Sequence, residues 1–91
     1  MDVSLAIHAL KEIAHMSEVD QVTTFECYRD LPRGGVQRVI VEILDAGRAA
    51  RPAGRYSCRA RTKDGKAQAF GNTADSIEAA IAVVHWFDLD K

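Results

Sequence analysis

The chain has 91 residues, 47% of them hydrophobic, with a formal net charge of −1. That length predicts one small domain spanning residues 1–91, with a real but modest core. Two cysteines, Cys27 and Cys58, are too few for a disulfide framework and lack the spacing of a metal site, and no apolar run approaches the roughly 20 residues of a membrane span. His8, Lys11 and Glu12 interrupt the apolar N-terminal segment, which excludes a signal peptide. The expectation is a soluble, cytoplasmic protein with free thiols and no cofactor.

The near-neutral average hides a sorting of charge along the chain. Residues 1–30 hold Lys11 and Arg29 against six carboxylates, and residues 67–91 hold Lys91 against four. Residues 31–66 hold nine basic side chains against Glu42, Asp45 and Asp64. A basic centre between acidic ends bears on partners and on the rate of encounter, not on fold.

Val3, Ala6, Ile7, Leu10, Ile13 and Ala14 recur at helical spacing, with Asp2 as the predicted cap. His8, Glu12 and His15 stand at i, i+4 and i+7, close enough on a helix to share an ion. They lack the HExxH pattern and a fourth ligand, so a solvated face with Lys11 is expected and no metal. Val22 to Arg29 is rich in Thr, Val, Phe and Tyr, which favours a strand; the rival reading is a short helix from Phe25 to Leu31, with Thr23 and Glu26 as its capping box. Leu31 to Gly35 is punctuated as a loop. Val36 to Leu44 alternates as a strand, with Val39, Val41 and Ile43 on one face and Arg38, Ile40, Glu42 and Leu44 on the other. Ala46 to Gly54 reads as a loop of small residues from which Arg48 and Arg51 project.

Arg55 to Phe70 predicts a hairpin. Asp64-Gly65 is a strong turn signal of the type that needs positive φ at both central positions. A two-residue turn there opposes Lys63 and Lys66, Arg61 and Gln68, and Arg59 and Phe70. One face then carries Arg59, Arg61, Lys63, Lys66, Gln68 and Phe70, with Arg38 extending it. The other carries Tyr56, Cys58, Ala60, Ala67 and Ala69, small enough for helices to approach. The basic face either keeps the sheet soluble or receives an anionic partner with Phe70 as its apolar anchor.

The closing helix is predicted from Asn72 or Thr73 to Phe87, with Ile77, Ala80, Ile81, Val84 and Phe87 as its core stripe and Asp88 onward as a polar tail. Ala79, Val83 and Trp86 lie on another side. Trp86 either folds back onto the core or, with Ala79 and Val83, forms an apolar patch for a homodimer or another partner.

The expected class is therefore α+β: an antiparallel sheet of three or four strands with two helices on one face, in the order α-β-β-β-β-α or α-β-β-β-α. In outline Val36 to Phe87 resembles the double-stranded-RNA-binding domain, which implies RNA contact through the start of the closing helix. That family has a lysine cluster there, and this chain has Asn72-Thr73-Ala74-Asp75-Ser76. Gly71-Asn72-Thr73 before the helix is similar to the Gly-x-Thr of the small HicB-type antitoxins.

No nucleophile stands beside a base at any defensible spacing, and there is no glycine-rich phosphate loop, so an enzyme is not expected. The functional expectation is a small intracellular binding protein, an inhibitor or adaptor of the kind carried by phages and mobile elements, anti-CRISPR proteins among them. Its partner-binding residues would be Arg38, Arg59, Arg61, Lys63, Lys66, Phe70 and Trp86, and its partner another protein. The alternative is a nucleic-acid-binding module using the same basic face.

Overall fold

The computed structural model describes residues 2–47 and 54–90; the predicted Arg48 and Arg51 projections lie outside them. Helix α1 (Val3–Glu12) begins where the Asp2 carboxylate accepts the Leu5 amide at 3.2 Å. It ends beyond Ile13, where His15 takes a left-handed conformation (φ 59°) and the Met16 amide donates to the Leu10 carbonyl.

Four strands follow: β1 (Gln21–Asp30), β2 (Val36–Asp45), β3 (Tyr56–Thr62) and β4 (Gln68–Phe70). They form one antiparallel sheet in the order β1-β2-β3-β4, so the α+β class and the longer predicted element order are those observed. The segment from Val22 is a strand and not a helix, as its β-branched and aromatic content favours.

The β3–β4 register sets Arg59 against Phe70 and Arg61 against Gln68, as the hairpin reading requires. The turn itself differs. Gly65 has positive φ (78°) and Asp64 does not, and the bonded pair that closes the hairpin is Thr62 with Ala67. The Asp64 carboxylate accepts from the Thr62 hydroxyl (2.7 Å) and the Lys66 amide (2.9 Å), a local turn that holds Asp64 at ordinary φ. Lys63 and Lys66 are thus the first and last residues of a four-residue loop instead of a facing pair, and Lys63 stays bonded to Arg38 of β2 through its amide.

The closing segment departs most from expectation. Residues 72–75 are not helical; Ala74 exchanges two backbone hydrogen bonds with Tyr56 (2.8 and 2.9 Å). Helix α2 (Ile77–Ala82) starts at Ser76, whose hydroxyl accepts the Ala79 amide at 3.1 Å. It is cut short because the His85 amide bonds to the Phe70 carbonyl and the Trp86 indole N–H to the Ile81 carbonyl. The chain then re-enters as a 3-10 turn (Trp86–Asp90).

That break re-phases the buried side chains. Ala80 and Val84 are buried as predicted, whereas Ile77, Ile81 and Phe87 are exposed. Leu89, expected in a polar tail, is only 3% exposed. The core consists of Val39, Cys58, Ala60, Ala67, Ala69, Ala80, Val84 and Leu89, seated on β3, β4 and the near side of β2, with Val41, Ile43, Tyr56 and Trp86 packed at its margin. Burial pushes the Cys58 thiol above its ordinary pKa, which keeps it a neutral core group.

The two helices engage the sheet unequally. α2 covers β3, while α1 buries none of its residues and walls a hollow of about 720 Å³ with Val19, Gln21, Asp45 and Arg55 at the end of the sheet. Every β1 residue except Arg29 is exposed. Among the described residues no helix is long and apolar enough to cross a membrane.

Two substitutions test this packing. Leu89→Ala should lower unfolding stability by about 2–4 kcal/mol, the cost of emptying a core aliphatic site, whereas a true tail residue would cost nothing in urea denaturation. At Gly71 an added Cβ would sit 2.9 Å from the Val83 carbonyl oxygen and the Val84 amide nitrogen. Gly71→Ala should therefore cost about 1–3 kcal/mol by forcing β4 away from the end of α2.

Candidate binding face

Side chains alternate across a pleated sheet, so the register decides what meets on the uncovered side. Glu42 pairs with Arg59, and Ile40 with Arg61, across β2 and β3; Arg59 and Arg61 face Phe70 and Gln68 across β3 and β4. Arg38, Arg59, Arg61, Lys63 and Lys66 are all exposed, and Phe70 is 56% exposed beside the two arginines. Glu42, Arg59, Arg61, Gln68 and Phe70 line an open hollow of about 200 Å³. The predicted residues on this face do come together.

Four of these five cations, Arg38, Arg59, Arg61 and Lys63, stand in ion pairs. The Glu42 carboxylate, largely covered, accepts from Arg59 Nε at 3.0 Å and from an Arg61 terminal nitrogen at 2.8 Å. The Lys63 ammonium donates to Glu26 at 3.0 Å, and an Arg38 nitrogen lies 4.0 Å from the same carboxylate. Arg38 also sits over the Tyr28 ring at 5.7 Å. Sequence reading missed Glu26 and Glu42 because one pairing reaches across β2 and the other joins neighbouring strands, an alignment only the fold supplies. The alternation that placed Glu42 beside Arg38 was the one available signal.

Sharing a carboxylate has two consequences. It cuts the positive excess of the face, and it fixes two long side chains in one geometry while leaving them 45% and 46% exposed. Arg59 and Arg61 hold the Glu42 carboxyl below the usual glutamate range; Lys63, with help from Arg38, does the same for Glu26.

Trp86 lies elsewhere. It is half-buried at the core margin with its indole N–H bonded to the chain, while Ala79 on α2 and Val83 just beyond it remain exposed. His8 and His15 are both exposed. Among the described residues no three His, Cys, Asp or Glu side chains gather as a metal-binding group. No protein-family model matches this chain, and neither a curated protein nor a solved structure does.

The pairing of Glu42 predicts a pH response. A carboxyl whose folded pKa lies below its unfolded value stabilises the fold above the unfolded value, and that contribution is lost as pH falls through the folded one. Urea midpoints should thus hold near neutral pH and drop as the solution is acidified below the ordinary glutamate pKa of 4.5. Glu42→Gln should flatten that part of the profile; an unchanged profile would deny the pair any weight in stability.

Proposed function

We propose that this is a small non-enzymatic binding protein that engages another protein through the outer face of its sheet. Phe70 serves as the apolar anchor, and Arg59 and Arg61 supply outward donors. Mechanistically such a protein is an inhibitor or adaptor that occludes or bridges by occupying a surface. The observation that supports this most is the exposed Phe70 ring beside two guanidinium groups whose positions are set by one covered carboxylate. A rigid aromatic next to pre-ordered arginines matches the composition of interface hot spots.

A protein partner is favoured over nucleic acid by the same geometry. Glu26 and Glu42 stand among the basic residues and repel a continuous run of phosphates. Discrete carboxylates on an acidic protein surface can meet the outward guanidinium edges without approaching those glutamates.

The test is capture of partners from lysate with and without nuclease, followed by affinity measurement on the captured species. Phe70→Ala should weaken binding about 30-fold, the loss of a hot-spot side chain worth about 2 kcal/mol. Arg59→Glu with Arg61→Glu should abolish capture while circular dichroism stays unchanged. Capture that vanishes with nuclease, or an affinity that falls steeply with salt, would transfer the face to nucleic acid.

A further inference from the structure

The two edges of the sheet are unalike. The β4 edge is three residues long, and the chain beyond it turns back to bridge Tyr56 through Ala74. At the other edge β1 runs ten residues in unbroken register with β2, without a bulge, and among the described residues no strand lies beyond it. Soluble proteins guard such edges with lysine, proline, bulges or a covering element. β1 has neither proline nor lysine, and the charge at its middle, Glu26, is taken up by Lys63. Phe25 and Tyr28 are 48% and 60% exposed along it.

Hydrogen-bond phase fixes which main-chain groups this edge offers. Opposed residues in an antiparallel pair alternate between exchanging both hydrogen bonds and exchanging none. The Lys63 amide bonds to the Arg38 carbonyl, and the Leu31 amide to the Gly35 carbonyl, each in line with its strand register. Arg38, Ile40 and Glu42 therefore bond towards β3, while Phe25, Cys27 and Arg29 bond towards β2. The amides and carbonyls of Val22, Thr24, Glu26 and Tyr28 point outward.

We propose that β1 pairs antiparallel with β1 of a second copy of this chain, about a two-fold axis perpendicular to the sheet at Phe25, giving a continuous eight-stranded sheet. Outward-bonding residues must oppose outward-bonding ones, which places the axis on a residue and not between two: near the middle of the strand, Thr24, Phe25, Glu26 or Cys27. An axis at Thr24 leaves Tyr28 to Asp30 outside the ladder. An axis at Glu26 sets two carboxylates directly against each other, an unfavourable pair. An axis at Cys27 leaves Val22 and Thr23 outside the ladder. The axis at Phe25 uses the strand from Gln21 to Arg29. It lays Val22 beside the partner's Tyr28, Thr24 beside the partner's Glu26 and Phe25 against the partner's Phe25. No like charges are opposed within the ladder, which ends where Asp30 would meet the partner's Asp20. The edge is complementary to itself in bonding phase, charge and apolar content, which selects a second copy over an unrelated strand. The isolated chain has a radius of gyration of 15.4 Å, against about 12 Å for a compact domain of its length, as fits a chain with an outlying edge strand paired on one side.

Sedimentation should return twice the chain mass of 10.0 kDa across the micromolar range. Thr24→Pro removes an outward amide and leaves the bonds to β2 intact, so it should give a folded monomer. In a Cys27→Ser background, Phe25→Cys should form a disulfide-linked dimer on mild oxidation, because Cα atoms of a non-bonded antiparallel pair lie about 4.5 Å apart. A monomer throughout, or a dimer that survives in folded Thr24→Pro, overturns the proposal. Should Thr24→Pro unfold, the Phe25→Cys cross-link decides alone, and its failure, or a dimer of the unsubstituted protein linked through Cys27, overturns the assigned axis.

Discussion

The arrangement depends on how closely a short helical segment can approach two strands. Ala60, Ala67 and Ala69 on the sheet and Ala80 on α2 present almost no side-chain bulk, and Gly71 lets β4 run against the backbone of Val83 and Val84. That contact allows six helical residues and one 3-10 turn to bury Cys58, Val84 and Leu89. The same economy limits what is covered. A segment this short spans β3, β4 and part of β2, so β1 is left open on both faces and along its outer edge. An open edge strand and a fully buried alanine layer are two results of one packing choice.

Folding resolves the charge segregation of the sequence only in part. Glu26 of the acidic start meets Lys63 of the basic centre, whereas Asp45 takes Arg55 within that centre through two hydrogen bonds, at 2.6 and 3.0 Å. Asp90 in the closing turn meets Arg29 of β1 at 2.6 Å, tying the far strand to the end of the chain. Exposed pairs like these contribute little to stability singly. Their larger effect is positional, since each fixes a long side chain that would otherwise lose entropy on meeting a partner. The outer face is thus less basic than its sequence and more ordered.

Elements set by local chemistry were legible in the sequence. The Asp64-Gly65 turn and the alternation of β2 and β3 placed Arg59 beside Phe70 and the alanines towards the helix. Features that need a tertiary partner were not. The helix stop after Ala82 depends on bonds to the Phe70 and Ile81 carbonyls, and nothing between Ala79 and Phe87 announces it. Once the stop is in place, Trp86 and Leu89 turn to the core and Ile81 turns out. Helical spacing cannot be read through a break it does not contain. The sharing of Glu42 was hidden for the same reason, since charge counts along the chain say nothing about which strand lies opposite.

Edge and face also combine. A two-fold axis perpendicular to the sheet keeps corresponding faces on one side, so pairing through β1 would display both copies of Arg59, Arg61 and Phe70 together. Five inter-strand steps separate β3 from its mate, about 24 Å in the hydrogen-bonding direction. Two anchors at that spacing on a stiff sheet suit a partner that is itself two-fold symmetric or carries a repeated acidic surface. The second contact is then intramolecular, and effective concentration multiplies the affinity of a modest single site. If Arg59, Arg61 and Phe70 bind as proposed, a face of modest affinity in the monomer would gain from being doubled.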